Sequence, residues 1–395
     1  MKDKFLQLHL LFAYGPSILN RDDQGRHKTA MVGGVERLRY SSQCAKRAWR
    51  TSDLFKTTVE GHVGIRTRYL YQGIIDHLVS NAIAVEKDAK KVAFEIAARW
   101  AKAQDAADDA PDGEGAASGE ADASSAEATA ETKGKKKAAS KKAKATEPTQ
   151  VLFLFSDSEW KKVLAVAEEL VLKKRKDVAL SDFLDGNATT AVDVALWGRM
   201  LAQNHRYTVT ASCAVSHAIT THKALVEDDY FSACDDCADL GGEVGAGASH
   251  IDTKSFGAGV YYQYVCLNRA QLLESLGGDT DLANLAIAGL IKTVTQVTPT
   301  AGQSTHAHAT RAAYVLAEIG DAQPRSLAAA FTRPVRGGDA LADSVTALTN
   351  WRTKLDALDG QCWSRDAVRD ATRSEPIGSL GALIDLGQIT PAESV

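Results

Sequence analysis

The chain has 395 residues, 45% of them hydrophobic, with 46 lysines and arginines set against 50 aspartates and glutamates for a formal net charge of −4. That much apolar material builds a real core in one large or two ordinary domains, and the near balance of charge excludes attraction of nucleic acid by the molecule as a whole, so any such binding must come from a local patch. No apolar run reaches the length of a bilayer span, and the opening MKDKFLQLHLLFAYGP has no small-residue cleavage site behind its short apolar stretch, so a cytoplasmic protein without membrane attachment is expected.

In chain order, FLQLHLLFA (5–13) is apolar and bounded by Gly15-Pro16, which predicts a buried strand. Arg37 and Arg39 alternate with Leu38 and Tyr40 in a strand leading to Ser41 or Ser42, either of which caps a short helix from Gln43 to about Arg50. Apolar residues at three- and four-residue spacing predict helices in RTRYLYQGIIDHLVSNA (66–82) and EKDAKKVAFEIAARWAK (86–102). From 101 to 149 the chain becomes Ala, Gly, Ser, Asp and Glu and then a Lys-rich run, with almost no large apolar residue to offset ordering entropy. It is expected to be a disordered insertion, its lysines a solvated run rather than a nucleic-acid site.

VLFLF (151–155) predicts a strand, and Ser156 with Glu159 has the spacing of a capping box that opens the next helix. Further strands are predicted in AVDVALWGRM (191–200), TASCAVSHAIT (210–220) and GAGVYYQYVCLN (257–268), and helices over 270–299, 324–331 and 339–358. Strands and helices interleave without a regular βαβ rhythm. That indicates an α+β fold rather than a doubly wound one.

The best local signal is RLRYSSQCAKRAWR (37–50), with five cations around Ser-Ser-Gln. On a helix, Gln43, Lys46, Arg47 and Arg50 share one face directly behind a Ser-capped N-terminus, where free N–H groups and the dipole favour anions. Arg37 and Arg39 extend the cationic track along the incoming strand; the same spacing also describes a merely solvated basic helix. NRDDQGRHKTAMVGG (20–34) adds Arg21, Arg26 and Lys28 in a Gly-containing loop. Its Asp22-Asp23 pair is open to two readings, a Mg²⁺ site or acids partnered by arginine, while VGG alone does not make a phosphate loop.

Cys44, Cys213, Cys234, Cys237, Cys266 and Cys362 read as reduced interior thiols. Cys234 and Cys237 have zinc spacing, with His217 and His222 upstream, but no second close pair supports that site, and thiols in a loop are the alternative. His306 and His308 alternate like ligands, yet their polar setting points to a surface loop. No G-x-S-x-G, Walker or HExxH motif appears, and no nucleophile has a credible base, so the protein is expected to be neither an enzyme nor a holder of a cofactor.

Taken together, SILNRDD (17–23), VGGVERLRYSSQCAKRAWR (32–50), VDVALWGRM (192–200), VSHAITTH (215–222) and FGAGVYYQYVCLNRAQL (256–272) occur in the order and approximate spacing of the CasC (Cse4) family. The chain resembles that family, the repeated backbone of Cascade in type I-E CRISPR systems, outside 101–149 and a weaker C-terminal third. The resemblance implies one hand-shaped domain over 1–395: a modified RRM-like (ferredoxin-like) palm, a helical fingers side over 51–190 containing the insertion, and a β-hairpin thumb over 218–254. It implies copies stacked head to tail along one CRISPR RNA, beside the large subunit, small subunits and the subunits that cap the guide's 5′ and 3′ ends. Target DNA is then engaged through the guide.

By match to the family, Arg21, Lys28, Ser41, Gln43, Lys46 and Arg50 resemble its guide-backbone contacts, and Met200 resembles a palm residue packed on the guide. Tyr230 and Phe231 fall where the family places bulky thumb residues that wedge between nucleotides, and Lys161 and Lys162 are candidates for contact with DNA. A competing expectation is a metal-dependent ribonuclease of the related type III backbone kind, using Asp22 or Asp23.

Overall fold

A computed structural model describes residues 1–104, 152–201, 204–233 and 250–390. The chain begins with strands β1 (Phe5–Ser17), β2 (Thr29–Val32) and β3 (Val35–Tyr40), helices α1 (Ser42–Thr51) and α2 (Asp53–Thr58), strand β4 (Ile65–Thr67), and helices α3 (Leu70–Ser80) and α4 (Glu86–Gln104). It continues through β5 (Phe153–Phe155), α5 (Asp157–Val171), α6 (Val192–Trp197), β6 (Cys213–Val215), β7 (Ala218–Thr220), β8 (Val226–Ala233) and β9 (His250–Asn268). The last elements are α7 (Arg269–Ser275), α8 (Thr280–Gln296), α9 (Gln303–His306), β10 (Tyr314–Gly320), α10 (Ala340–Asp359), β11 (Arg365–Asp370) and α11 (Leu380–Gly387). Two compact units form, one from residues 1–62, 195–197 and 211 onward, the other from 63–194 and 198–210. Among the described residues no helix is long and apolar enough to cross a membrane.

The first unit is built on an antiparallel sheet in the order β11-β10-β1-β9-β7-β3-β2, with β6 and β8 also paired to β9. β1 lies between β10 and β9 and is buried on both faces, which is why its sequence is an unbroken apolar run instead of an alternation. On one face Leu11, Tyr262, Leu316 and Phe331 pack under Val345 and Trp351 of α10. On the other, Gly387 of α11 sits against Leu6, Ile287 and Ile291 so closely that a Cβ there would meet all three. The sheet interior also holds charge. His9 and Glu318 are fully buried, and Glu318 accepts from Arg352 Nε at 2.7 Å while Tyr262 OH bonds His9 Nδ1 at 2.9 Å.

β9 is long because it serves two partners, its first part pairing with β8 in a projecting hairpin and its second part with β1. The β2–β3 hairpin turns on Gly33 and Gly34, whose φ of +61° and +77° suit a tight two-residue turn, and a Cβ at Gly33 would sit 1.6 Å from the Thr332 carbonyl oxygen. VGG is thus a turn packed on a neighbouring loop.

In the second unit, β4 pairs with β5, and Trp100, Phe153, Phe155 and Phe183 form an aromatic core under α3, α4 and α5. The capping box appears as read, with Ser156 Oγ accepting the Glu159 amide and Glu159 accepting the Ser156 amide. The same Glu159 carboxylate meets Arg199 at 2.6 Å, both side chains being buried. Trp100 anchors α4 through Gln104, so the first four residues of the expected 101–149 insertion are helical; its remaining residues lie outside those described.

Three other expectations are corrected. AVDVALWGRM is not a strand: Val192–Trp197 is a short helix, and Asp193 in its first turn accepts the Gly64 amide at 2.6 Å. Residues 191–196 are all buried, and a run without a polar face carries no period that separates strand from helix. The single helix expected over 270–299 is two, broken at Gly277 and Gly278 (φ +68° and +84°) and restarted by the Asp279 cap. Over 324–331 only Ala328–Phe331 is helical, as one 3₁₀ turn. β10, β11 and α11 were not anticipated.

Candidate nucleic-acid interface

α1 buries Ala45, Ala48 and Trp49 and turns Gln43, Lys46, Arg47 and Arg50 to the other side, as its spacing requires. Ser41 is the N-cap: its hydroxyl oxygen accepts the Cys44 amide at 3.2 Å, leaving its own proton to donate. The 20–28 loop is fastened to this corner. Asn20 Oδ1 accepts the Ser41 amide at 3.0 Å, the Lys28 amide donates to the Asn20 carbonyl at 3.0 Å, and the Arg39 amide donates to the Lys28 carbonyl at 2.9 Å. Arg21 bridges to His27 across the loop. Arg21, Lys28, Ser41, Gln43, Lys46 and Arg50 therefore belong to one loop–strand–helix corner.

The electrostatics of this corner are cationic. Burial pushes the Cys44 thiol up while Lys28 and Arg47 pull against it. His217, at the same corner, accepts the Ser42 amide on Nδ1 at 3.2 Å, and partial desolvation together with Arg39 and Lys28 holds its imidazole below the usual histidine range.

Arg37 does not extend the track. It is fully buried, donating to the carbonyls of Thr220 (3.0 Å) and Phe331 (2.8 Å), because on β3 it points into the sheet's interior while α1 turns its cations outward. Arg39 is half-buried and donates to the Thr29 carbonyl.

Asp22 organises its own loop, accepting from the amides of Gln24 and Arg26 and from the Arg26 guanidinium. Although desolvation works against it, these bonds hold its carboxyl below the usual range. Asp23 is exposed beside it. Asp22 and Arg26 line a cleft of about 410 Å³ with Thr29, Glu36, Val226, Asp228 and Ser255, at the base of the β8–β9 hairpin. Higher on that hairpin Tyr230 is 66% exposed, and Phe231 is half-buried with the Lys254 ammonium 4.7 Å from its ring centre.

Met200, 66% exposed, belongs to the second unit, where its neighbour Arg199 is tied to Glu159. Lys161 and Lys162 lie on α5 in that unit, paired with Asp157 and Asp185. The zinc reading loses one of its histidines: His222 bonds the Lys223 carbonyl and the Val260 amide through its two ring nitrogens, while His217 commits Nδ1 to the Ser42 amide. Cys234 and Cys237 lie outside the described residues. His308 is not on the surface; it is buried, with Nε2 bonded to the Pro299 carbonyl at 2.8 Å, because a short helical turn folds the loop back. Sequence reasoning missed His217 as part of the cationic corner, since its partner Ser42 is remote in the chain.

The family model described as "CT1975-like protein" (Cas_CT1975) matches residues 6–377. The chain belongs to that family. This agrees with the resemblance carried by the segments quoted above. Two solved structures resemble the chain over its length. One, titled "CRISPR RNA-guided surveillance complex, pre-nicking", has a TM-score of 0.75 and 25% identity over 97% of this chain and 98% of the other. The second, titled "CRISPR RNA-guided surveillance complex", has a TM-score of 0.56 and 20% identity over 97% of each chain, a likeness of fold. No curated protein matches the chain at a significant level.

Proposed function

We propose that this chain is a non-catalytic backbone subunit of a Cascade complex of the type I-E kind, which polymerises along a CRISPR RNA and holds it by its phosphates. The observation that carries this reading is the corner where the 20–28 loop and α1 are bonded together, presenting Arg21, Lys28, Gln43 and Lys46 in a chain of net negative charge. Such contacts position a nucleic acid without reading its bases, and pairing between guide and target DNA supplies specificity. The antiparallel sheet serves as the RRM-like palm, the helical second unit as fingers and the β8–β9 hairpin as thumb, with Tyr230 and Phe231 as the wedge. Met200 packs on the guide, and Lys161 and Lys162 exchange their acidic partners for target DNA. Head-to-tail copies form a heterologous interface that propagates until other subunits cap it. Asp22, occupied by Arg26, supports a loop-shaping role over the ribonuclease alternative.

The test is to isolate the tagged protein from its own cells, measure particle mass and sequence the nucleic acid it carries. A large uniform particle with repeat-flanked CRISPR RNA is expected. A monomer free of RNA, or Mg²⁺-dependent cleavage of guide-paired RNA that disappears in Asp23→Ala, would sink the proposal.

A further inference from the structure

Beyond the contacts named so far, the geometry points to His217 as an additional guide-contacting residue, a neutral donor that gives a phosphate oxygen a directed hydrogen bond from Nε2. This inference rests on the RNA-backbone reading and assigns that site a residue of a different chemical kind.

The backbone around His217 is held from two sides. The Ser216 amide donates to the Tyr264 carbonyl and the Tyr264 amide donates to Ser216 Oγ, each at 2.9 Å, while Ala218 pairs with Tyr40 at the end of β3. That places the imidazole at the first turn of α1, where Nδ1 accepts the Ser42 amide. A nitrogen that accepts an N–H carries no proton, so the ring's one proton lies on Nε2. His217 is exposed, and among the described residues Nε2 has no hydrogen-bond partner.

Charge selects the ligand. A second proton on His217 would face the Ser42 N–H at the positive end of a helix, near Arg39 and Lys28, so the ring stays neutral and its field is not that of a cation. The surrounding cations draw an anion to this corner, and the fixed N–H gives it a direction that flexible lysines do not. A phosphodiester, with two unbridged oxygens, can accept from His217 and pair with a cation of this corner at the same time.

The role separates from simple helix capping by substitution in the full-length protein. In His217→Asn, the side-chain oxygen stands where Nδ1 accepts the Ser42 amide, but nothing replaces Nε2. In His217→Gln the amide nitrogen reaches the Nε2 position. Binding to a labelled single-stranded RNA is measured over a salt series, with melting followed in parallel. His217→Asn is expected to melt as the wild type does and to bind about tenfold more weakly, with an unchanged log–log salt slope because no charge is lost. His217→Gln is expected to recover most of the affinity.

Wild-type affinity in His217→Asn, alongside weakened binding in Lys46→Ala, would leave His217 as a cap only and overturn this inference while the RNA-backbone reading stands. A shallower salt slope in His217→Asn would overturn the neutral-donor assignment. Failure of the wild type to bind RNA would remove both.

Discussion

β3 and α1 share one fourteen-residue cationic stretch, RLRYSSQCAKRAWR, yet the fold uses its two halves in opposite ways. On β3, Arg37 is fully buried and donates to backbone carbonyls 183 and 294 residues away. On α1, Lys46 and Arg47 lie opposite the buried Ala45, Ala48 and Trp49. The lesson is that a cation's place in the sequence does not reveal its employer. Buried guanidinium holds chain segments together, whereas the half left to solvent is what an anionic partner can reach.

The sharpest way to break this contrast is Arg37→Ala. Removing the donor strands two carbonyls, a loss of about 3 to 4 kcal/mol on denaturant unfolding, whereas Lys46→Ala should stay within about 0.5 kcal/mol of the wild type. If the two variants unfold alike, the division into buried and exposed halves is wrong. Arg199→Ala extends the contrast to the second unit: it leaves Glu159 as an unpaired buried carboxylate and should cost about 3 kcal/mol, while the neighbouring exposed Met200→Ala leaves melting unchanged. Tyr230→Ala should likewise spare stability but weaken RNA binding by about 1 to 3 kcal/mol if its ring stacks on a base.

pH sharpens the comparison further. Burial holds the His9 imidazole below its ordinary 6.5, outweighing the pull of Glu318; Glu318 is held down by His9, Arg352 and Arg325 although burial alone would raise it. Both groups bind fewer protons folded than unfolded, so their stability is present at neutral pH and declines as the pH falls, from about 6.5 for His9 and from the carboxylate range for Glu318. Melting temperature against pH should therefore drop on the acid side, and His9→Gln should flatten the part just below about 6.5. A wild-type profile flat through that window would contradict the burial of His9. The smallest effect is electrostatic: with roughly five phosphates neutralised per protomer the log–log salt slope for single-stranded RNA is about −3.5, and Lys46→Ala should reduce its magnitude by about 0.7 without altering base preference. An altered base preference with the slope intact would count against the phosphate track.

The central strand, the capped α1, the Ser156 capping box, the helix at 340–359 and the second half of β9 were legible because each is written in residues a few positions apart. The short helix at 192–197 was not, since a run buried on every side has no polar face to mark its period. The motif segments named the loop and helix residues of the candidate corner, but His217 was visible only as a stray histidine. Its meaning appears when β6 and β7 carry it to Ser42.

By itself, then, the sequence determined the mixed α+β class, the caps and amphipathic faces, the family, and the presence of a cationic stretch in a chain without cationic excess. Tertiary structure alone decided which cations face solvent, that Arg37 is spent on the Thr220 and Phe331 carbonyls, and that His217 and His222 spend ring nitrogens on backbone amides. The physical reason is range. Caps and periods are set by neighbours within a turn or two, whereas burial, charge pairing and tautomer depend on groups that only folding brings within three or four ångströms.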